Sequence, residues 1–96
     1  MKSIIQKNKE CWYCKTTYNL ENHHIYFGPN RKVSDKNGFV VWLCNYHHTG
    51  SLCGISKYSV HFNRKMNLKL KQICQSKYEE NHTRDDFIRL IGRSYL

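Results

Sequence analysis

Proline occurs once, at Pro29, and glycine only five times in 96 residues. That leaves no material for a long flexible linker, and the chain shows neither an internal repeat nor a low-complexity tract. No apolar run approaches the ~20 residues of a membrane span. The leading stretch MKSIIQKNKE carries only Ile4 and Ile5 as apolar residues beyond Met1, too few for a signal peptide. Carboxylates are scarce as well: 7 Asp and Glu stand against 16 Lys and Arg, a formal charge of +9. An excess of that sign favours polyanions, because each neutralised phosphate releases condensed counterions. A nucleic-acid partner is therefore expected, and a membrane is not.

Hydrophobic residues at 40% and charged residues at 24% fit a folded chain rather than a disordered one. The length suits a single domain over residues 1–96, with so modest a core that a structural metal becomes a natural staple. Five cysteines in a chain expected to be cytoplasmic, and hence in a reducing environment, point to metal rather than to disulfides where their spacing is short.

Along the chain, residues 1–10 read as a frayed or loosely helical lead. HHIYFG at 23–28 is β-prone and ends at Gly28-Pro29-Asn30. NRKVSDKNG at 30–38 reads as a basic loop closing on the Asn37-Gly38 turn signal. FVVWLC at 39–44 is the clearest strand, and an antiparallel pair is the simplest arrangement for the two. NYHHTG makes one helical turn, and a long helix runs from about Ser59 to Glu80. Its apolar stripe comprises Phe62, Met66, Leu70, Ile73 and Cys74. Lys65, Lys69, Lys71 and Lys77 fall mostly on other faces, where tracking a phosphate backbone and simple solvation are equally good readings. Thr83 and Asp86 form a capping box for a last helix carrying Phe87, Leu90 and Ile91, closed by Gly92.

Two short motifs carry the chemistry. Cys11-Trp12-Tyr13-Cys14 is C-x-x-C and Cys44-Asn45-Tyr46-His47 is C-x-x-H. Each tight turn offers two ligands, and the pair completes a tetrahedral Zn²⁺ shell of Cys11, Cys14, Cys44 and His47. Residues 15–43 between them are long enough to hold both strands. A redox dithiol is the rival reading of C-x-x-C, but no βαβ pattern surrounds it. Cys53 is a rival for the place of His47, and Cys74 on the helix stripe reads as an ordinary buried thiol. Tyr26, Phe27 and Trp42 are expected in the core or on a strand face. Tyr13 and Tyr46, at matching places in the two knuckles, are expected to pack over the metal, with stacking on bases as the rival use.

Besides His82 near the last helix, the zinc assignment leaves His23, His24, His48 and His61. A lone exposed histidine usually does nothing, but three of these flank a knuckle or the strand leading to it. The segments CWYC, NHHIYFG and FVVWLCNYHH resemble the HNH, or ββα-metal, nucleases with a zinc-knuckle frame. With VHFNRKMNLKLKQICQ added, the chain from residue 11 to about 78 is similar to small phage zinc-knuckle HNH proteins related to the RecA-dependent, recombination-enhancing nucleases. The resemblance implies an α+β fold: a small zinc-stapled ββα-metal core with a two-stranded antiparallel sheet, then a long helix and a short C-terminal helix. It implies His23, His48 and His61 as ligands of a catalytic divalent ion, Mg²⁺ or Mn²⁺, and His24 as general base. An all-histidine set also admits Ni²⁺ or Zn²⁺. Arg31 and Lys32 are the expected strand contacts. The asparagine that usually precedes the second knuckle is missing, since that segment reads Phe39-Val40-Val41-Trp42; Asn45 or Asn63 is its candidate replacement.

The function expected is a metal-dependent HNH endonuclease hydrolysing DNA phosphodiester bonds in phage recombination or DNA processing, in the cytoplasm of a bacterial host. A recombinase is a candidate protein partner. The alternative is a non-catalytic zinc module that binds nucleic acid or a recombination protein. A third reading is a protein-interaction factor such as an inhibitor, which predicts no DNA affinity at moderate salt.

Overall fold

The computed structural model describes residues 2–52 and 57–96. Cys53 falls outside the described residues, so its candidacy as a ligand has no structural reading. Among the described residues two strands and four helices follow in order: β1 (Leu20–His24), α1 (Arg31–Asn37), β2 (Val40–Cys44), α2 (Asn45–His48), α3 (Arg64–Tyr78) and α4 (Arg84–Ile91). Short 3₁₀ turns precede α1 (Gly28–Asn30) and α3 (Val60–Phe62). The protein is thus a small α+β domain with a two-stranded antiparallel sheet. No described helix is long and apolar enough to cross a membrane.

β1 and β2 pair from Leu20 opposite Cys44 to His24 opposite Val40, which sets His23 against Val41. The first strand begins earlier than its β-prone residues suggest. Ile25 and Tyr26 lie beyond its end, fully buried in the core, because they turn inward to meet the helices rather than extend the ladder.

The expected basic loop at 30–38 is instead largely helical. α1 ends at Gly38, whose φ of +75° is the left-handed C-cap conformation. An Asn-Gly pair can terminate a helix as readily as it can turn a hairpin. Ser34 is the buried residue of this helix, and its hydroxyl donates to the Tyr26 carbonyl at 2.6 Å.

The N-terminal lead is neither frayed nor helical. Ile4 N–H donates to the Gly38 carbonyl at 3.0 Å, and Trp42 N–H donates to Gln6 Oε1 at 2.8 Å. Trp12 N–H then reaches the Trp42 carbonyl at 2.9 Å. This strap covers the outer edge of β2, which would otherwise stand as an open template for pairing.

The core is aromatic. Tyr26 meets Phe39 and Phe87 edge-on, with centroids 5.4 and 5.3 Å apart, and Phe39 meets Tyr78 at 5.5 Å. Such edge-to-face pairs add about 0.5–1.5 kcal/mol each beyond area burial. Tyr26 also donates its hydroxyl to the Lys71 carbonyl at 2.6 Å, tying the end of β1 to the middle of α3. Leu70 and Cys74 are buried on the inner face of α3, with Met66 packed beside them. Phe62 departs from the expected stripe. Asn63 caps the helix by accepting from Met66 N–H, so Phe62 sits in the preceding turn and is 52% exposed. The capping box of Thr83 and Asp86 and the left-handed Gly92 bound α4 as the sequence predicts.

Candidate metal centres

Cys11, Cys14, Cys44 and His47 converge on one point that could hold a metal ion. β2 delivers Cys44, and α2, which starts at the next residue, turns His47 back beside it. The first knuckle is anchored by Cys11 N–H donating to the Thr16 carbonyl at 2.9 Å and by the bond from Trp12 to Trp42. Lys15, at φ +66°, makes the sharp turn after Cys14. The Sγ atoms of Cys14 and Cys44 lie 3.7 Å apart. A disulfide would hold them at about 2.05 Å. Tetrahedral ligands with Zn–S of about 2.3 Å stand about 3.8 Å apart. His47 Nδ1 lies 3.2 Å from Cys44 Sγ and 3.7 Å from Cys11 Sγ, bracketing the roughly 3.5 Å of a tetrahedral S–Zn–N pair.

Electrostatics bear on the same point. Burial pushes the Cys44 thiol up to about 12, so a cation is what would keep that sulfur a thiolate. Cys11 is also raised by burial, but the backbone around Cys14, Cys44 and Tyr13 hydrogen-bonds its sulfur and brings it below the usual thiol range. Tyr13 and Tyr46 place their rings 5.5 and 5.0 Å from that of His47, as expected for covers. Cys74, buried on α3 away from this cluster, is pushed up to about 12 by burial and serves only the core.

The second cluster joins His23 from β1, His48 from the end of α2 and His61 from the turn before α3, whose ring nitrogens all lie within 4.8 Å of one another. Nε2 of His48 and of His61 are 3.0 Å apart, about the separation of two neighbouring imidazole ligands around one ion at ~2.1 Å. His23 is buried, and its Nε2 has no hydrogen-bond partner. An orphaned buried polar atom costs about 1–3 kcal/mol. The three nitrogens therefore fit a cation that would take up this lone pair. Burial, together with the charge of His48, drives the pKa of His23 down to about 2, so its ring is neutral and able to ligate at any physiological pH. His61 is lowered by burial, His48 and Lys71.

Two acidic residues that sequence reasoning passed over complete the site. Glu21 Oε1 lies 2.7 Å from His48 Nδ1. That contact assigns the proton to Nδ1 and leaves Nε2 to ligate, the carboxylate–histidine arrangement common behind metal ligands. Glu21 is fixed in turn by Asn45 Nδ2 at 3.0 Å. Burial opposes ionisation of Glu21, but the bonds from Asn45 and His48 hold its carboxyl below the usual range. The signal for Glu21 was available: it lies two residues before His23 on a strand, hence on the same face. Asp35 had no such signal. Its Oδ1 lies 2.9 Å from His24 Nε2, a contact that exists only because residues 31–37 are a helix.

His24 and Arg31 rim the same cleft as the three histidines, with Phe27 at its edge. Phe27, expected in the core or on a strand face, is 39% exposed. Lys32 is exposed on α1, outside that lining. Neither candidate asparagine reaches His24. Asn45 braces Glu21, Ser51 and the Leu52 N–H, while Asn63 caps α3 and donates to the Lys57 carbonyl.

Comparisons with protein-family models, curated proteins and solved structures find no match.

Proposed function

We propose that this chain is a small metal-dependent HNH-type endonuclease acting on DNA, with a structural zinc at the knuckles and a divalent ion at the histidine trio. The observation that carries the reading is the pairing of His24 with Asp35 at the rim of a cleft floored by three converging histidines. The Asp35 carboxylate accepts from His24 Nε2–H, which fixes the tautomer and leaves Nδ1 as the basic nitrogen. His24 then takes the proton from the attacking water as the water oxygen bonds to phosphorus and the bond from phosphorus to the leaving sugar oxygen breaks. Arg31 holds the strand by its phosphates. A divalent ion, when bound, supplies positive charge to the scissile phosphate and the leaving oxygen. His23, His48 and His61 would hold it, with Glu21 orienting His48. The resemblance to phage HNH proteins suggests recombination or DNA processing in a bacterial host's cytoplasm as the setting, with a recombinase as candidate partner.

Purified zinc-loaded protein is expected to cut or nick DNA with Mg²⁺ or Mn²⁺, and His24→Ala to lose about 10²–10⁴-fold of that rate with fold and zinc content unchanged. Equal cutting by His24→Ala, or no cutting of single-stranded, duplex or branched DNA with any divalent ion, sinks the reading.

A second reading draws on the asparagines, since both are committed away from His24. A non-catalytic zinc module would bind DNA in a salt-dependent way and turn over none of it.

A further inference from the structure

From Lys36 to Tyr78 the chain carries no carboxylate side chain, and the consequence is visible beside the histidine cleft. Lys71 Nζ lies 4.7 Å from the centroid of the Phe27 ring and 5.0 Å from that of Tyr95. The guanidinium of Arg93 lies 4.6 Å from the same Tyr95 ring. Arg64, Asn67 and Leu68 complete the lining of this second cleft. Among the described residues, every ion pair uses other cations, so Arg64, Lys71 and Arg93 carry no carboxylate partner. Asn67 Oδ1 is buried beneath them without a hydrogen-bond partner.

The chain's last residues are built into this cleft. The fully buried Gln75 accepts from Tyr95 N–H through Oε1 at 2.8 Å, and Gln72 Nε2 donates to the Tyr95 carbonyl at 3.0 Å. α3 thereby fixes the ring that both cations approach. Burial first, and the neighbouring Arg93 second, hold Lys71 below the usual lysine range, and an anion beside it would favour its charged form. The cleft adjoins the histidine site, because Phe27 of that site lies against Lys71 of this one.

We propose that Arg64, Lys71 and Arg93 bind a backbone phosphate of the DNA strand next to the one over the histidine trio. The inference rests on the nuclease reading for its ligand and sets the path of the strand, from Arg31 across His61 to the C-terminal residues. Both arginines are exposed, so replacing them leaves the core alone.

The test uses zinc-loaded protein carrying His24→Ala, which binds DNA without cutting it. Fluorescence anisotropy with a labelled oligonucleotide is followed from 50 to 200 mM salt. Arg64→Gln with Arg93→Gln is compared with Lys2→Gln with Lys36→Gln, which removes equal charge beside the N-terminal strap. The first pair is expected to weaken binding at least tenfold and to lower the slope of log K against log salt by about 0.7–0.9, the one phosphate contact this cleft supplies. The second pair is expected to change the slope by less than half a contact. In the cleaving protein, Arg64→Gln with Arg93→Gln is expected to raise KM more than it lowers kcat. Matching slopes and affinities for the two pairs overturn the subsite even if the protein cleaves DNA. Absent cleavage by the wild type counts against the nuclease reading alone, because the salt slopes are measured without turnover.

Discussion

The two Cys/His clusters draw on neighbouring residues, His47 and His48, yet offer opposite chemistry. The knuckle cluster is sulfur-rich, four-cornered and covered by Tyr13 and Tyr46. The histidine cluster has three corners, no sulfur, a carboxylate behind one ligand and an open cleft before it. A closed set of four soft and borderline donors suits a metal that holds the fold, whereas three neutral nitrogens leave room for water and substrate. Adjacent positions on α2 can serve both because successive helical residues point about 100° apart. One short helix thus joins the proposed staple of the fold to the proposed site of reaction.

The strongest way to break this contrast is to remove each cluster separately. His47→Ala, or complete chelation, is expected to unfold the protein, because a structural zinc contributes about 10–16 kcal/mol of apparent binding energy to a core this small. Native circular dichroism after verified metal removal would show that the knuckles are not the staple. His48→Ala, one residue on, is expected to keep the fold and one zinc per chain while losing the second ion and at least 100-fold of cleavage. Metal analysis and circular dichroism read both outcomes, and unfolding of His48→Ala would erase the distinction between the clusters.

A milder change sharpens the role of the acid. Glu21→Gln keeps a hydrogen-bonding group beside His48 but removes the charge, and is expected to weaken divalent-ion affinity about 10- to 100-fold. Calorimetric titration with Mn²⁺ measures this, and unchanged affinity would make Glu21 a mere strand residue. Two further variants are expected to act on the fold without touching either cluster. A Cβ at Gly38 would lie 2.6 Å from the Lys2 carbonyl in a left-handed backbone. Gly38→Ala is therefore expected to cost on the order of 2 kcal/mol in urea unfolding, with zinc content intact. Thr83→Ala removes the cap of α4 and is expected to cost about 1 kcal/mol; a midpoint within error of wild type would mean that α4 docks without its cap.

Much of the frame was readable from spacing. The knuckle ligands needed only C-x-x-C and C-x-x-H, since each motif places two donors through one local turn. The capping box and Gly92 are local in the same way, and β2 announced itself by the apolar, β-prone run from Phe39 to Cys44. The misreadings share a cause: each element's partner lay far along the chain. α1 has only two turns, and RKVSDKN presents just Val33 and Ser34 inward, too few positions to reveal a period. The N-terminal strap looked shapeless because its bonds go to Gly38 and Trp42 rather than to its own residues.

The sequence by itself determined which residues can bind metal, where two knuckles turn, that a short sheet precedes two helices, and that the surface is strongly basic. All of these follow from residue type and short spacing. Only the tertiary structure decided that His61 meets His23 and His48, that Asp35 and Glu21 stand behind His24 and His48, and that Arg93 and Tyr95 lie beside Lys71. Those pairings are set by how helices and turns dock on a common aromatic core, and docking geometry leaves no period in the chain to read.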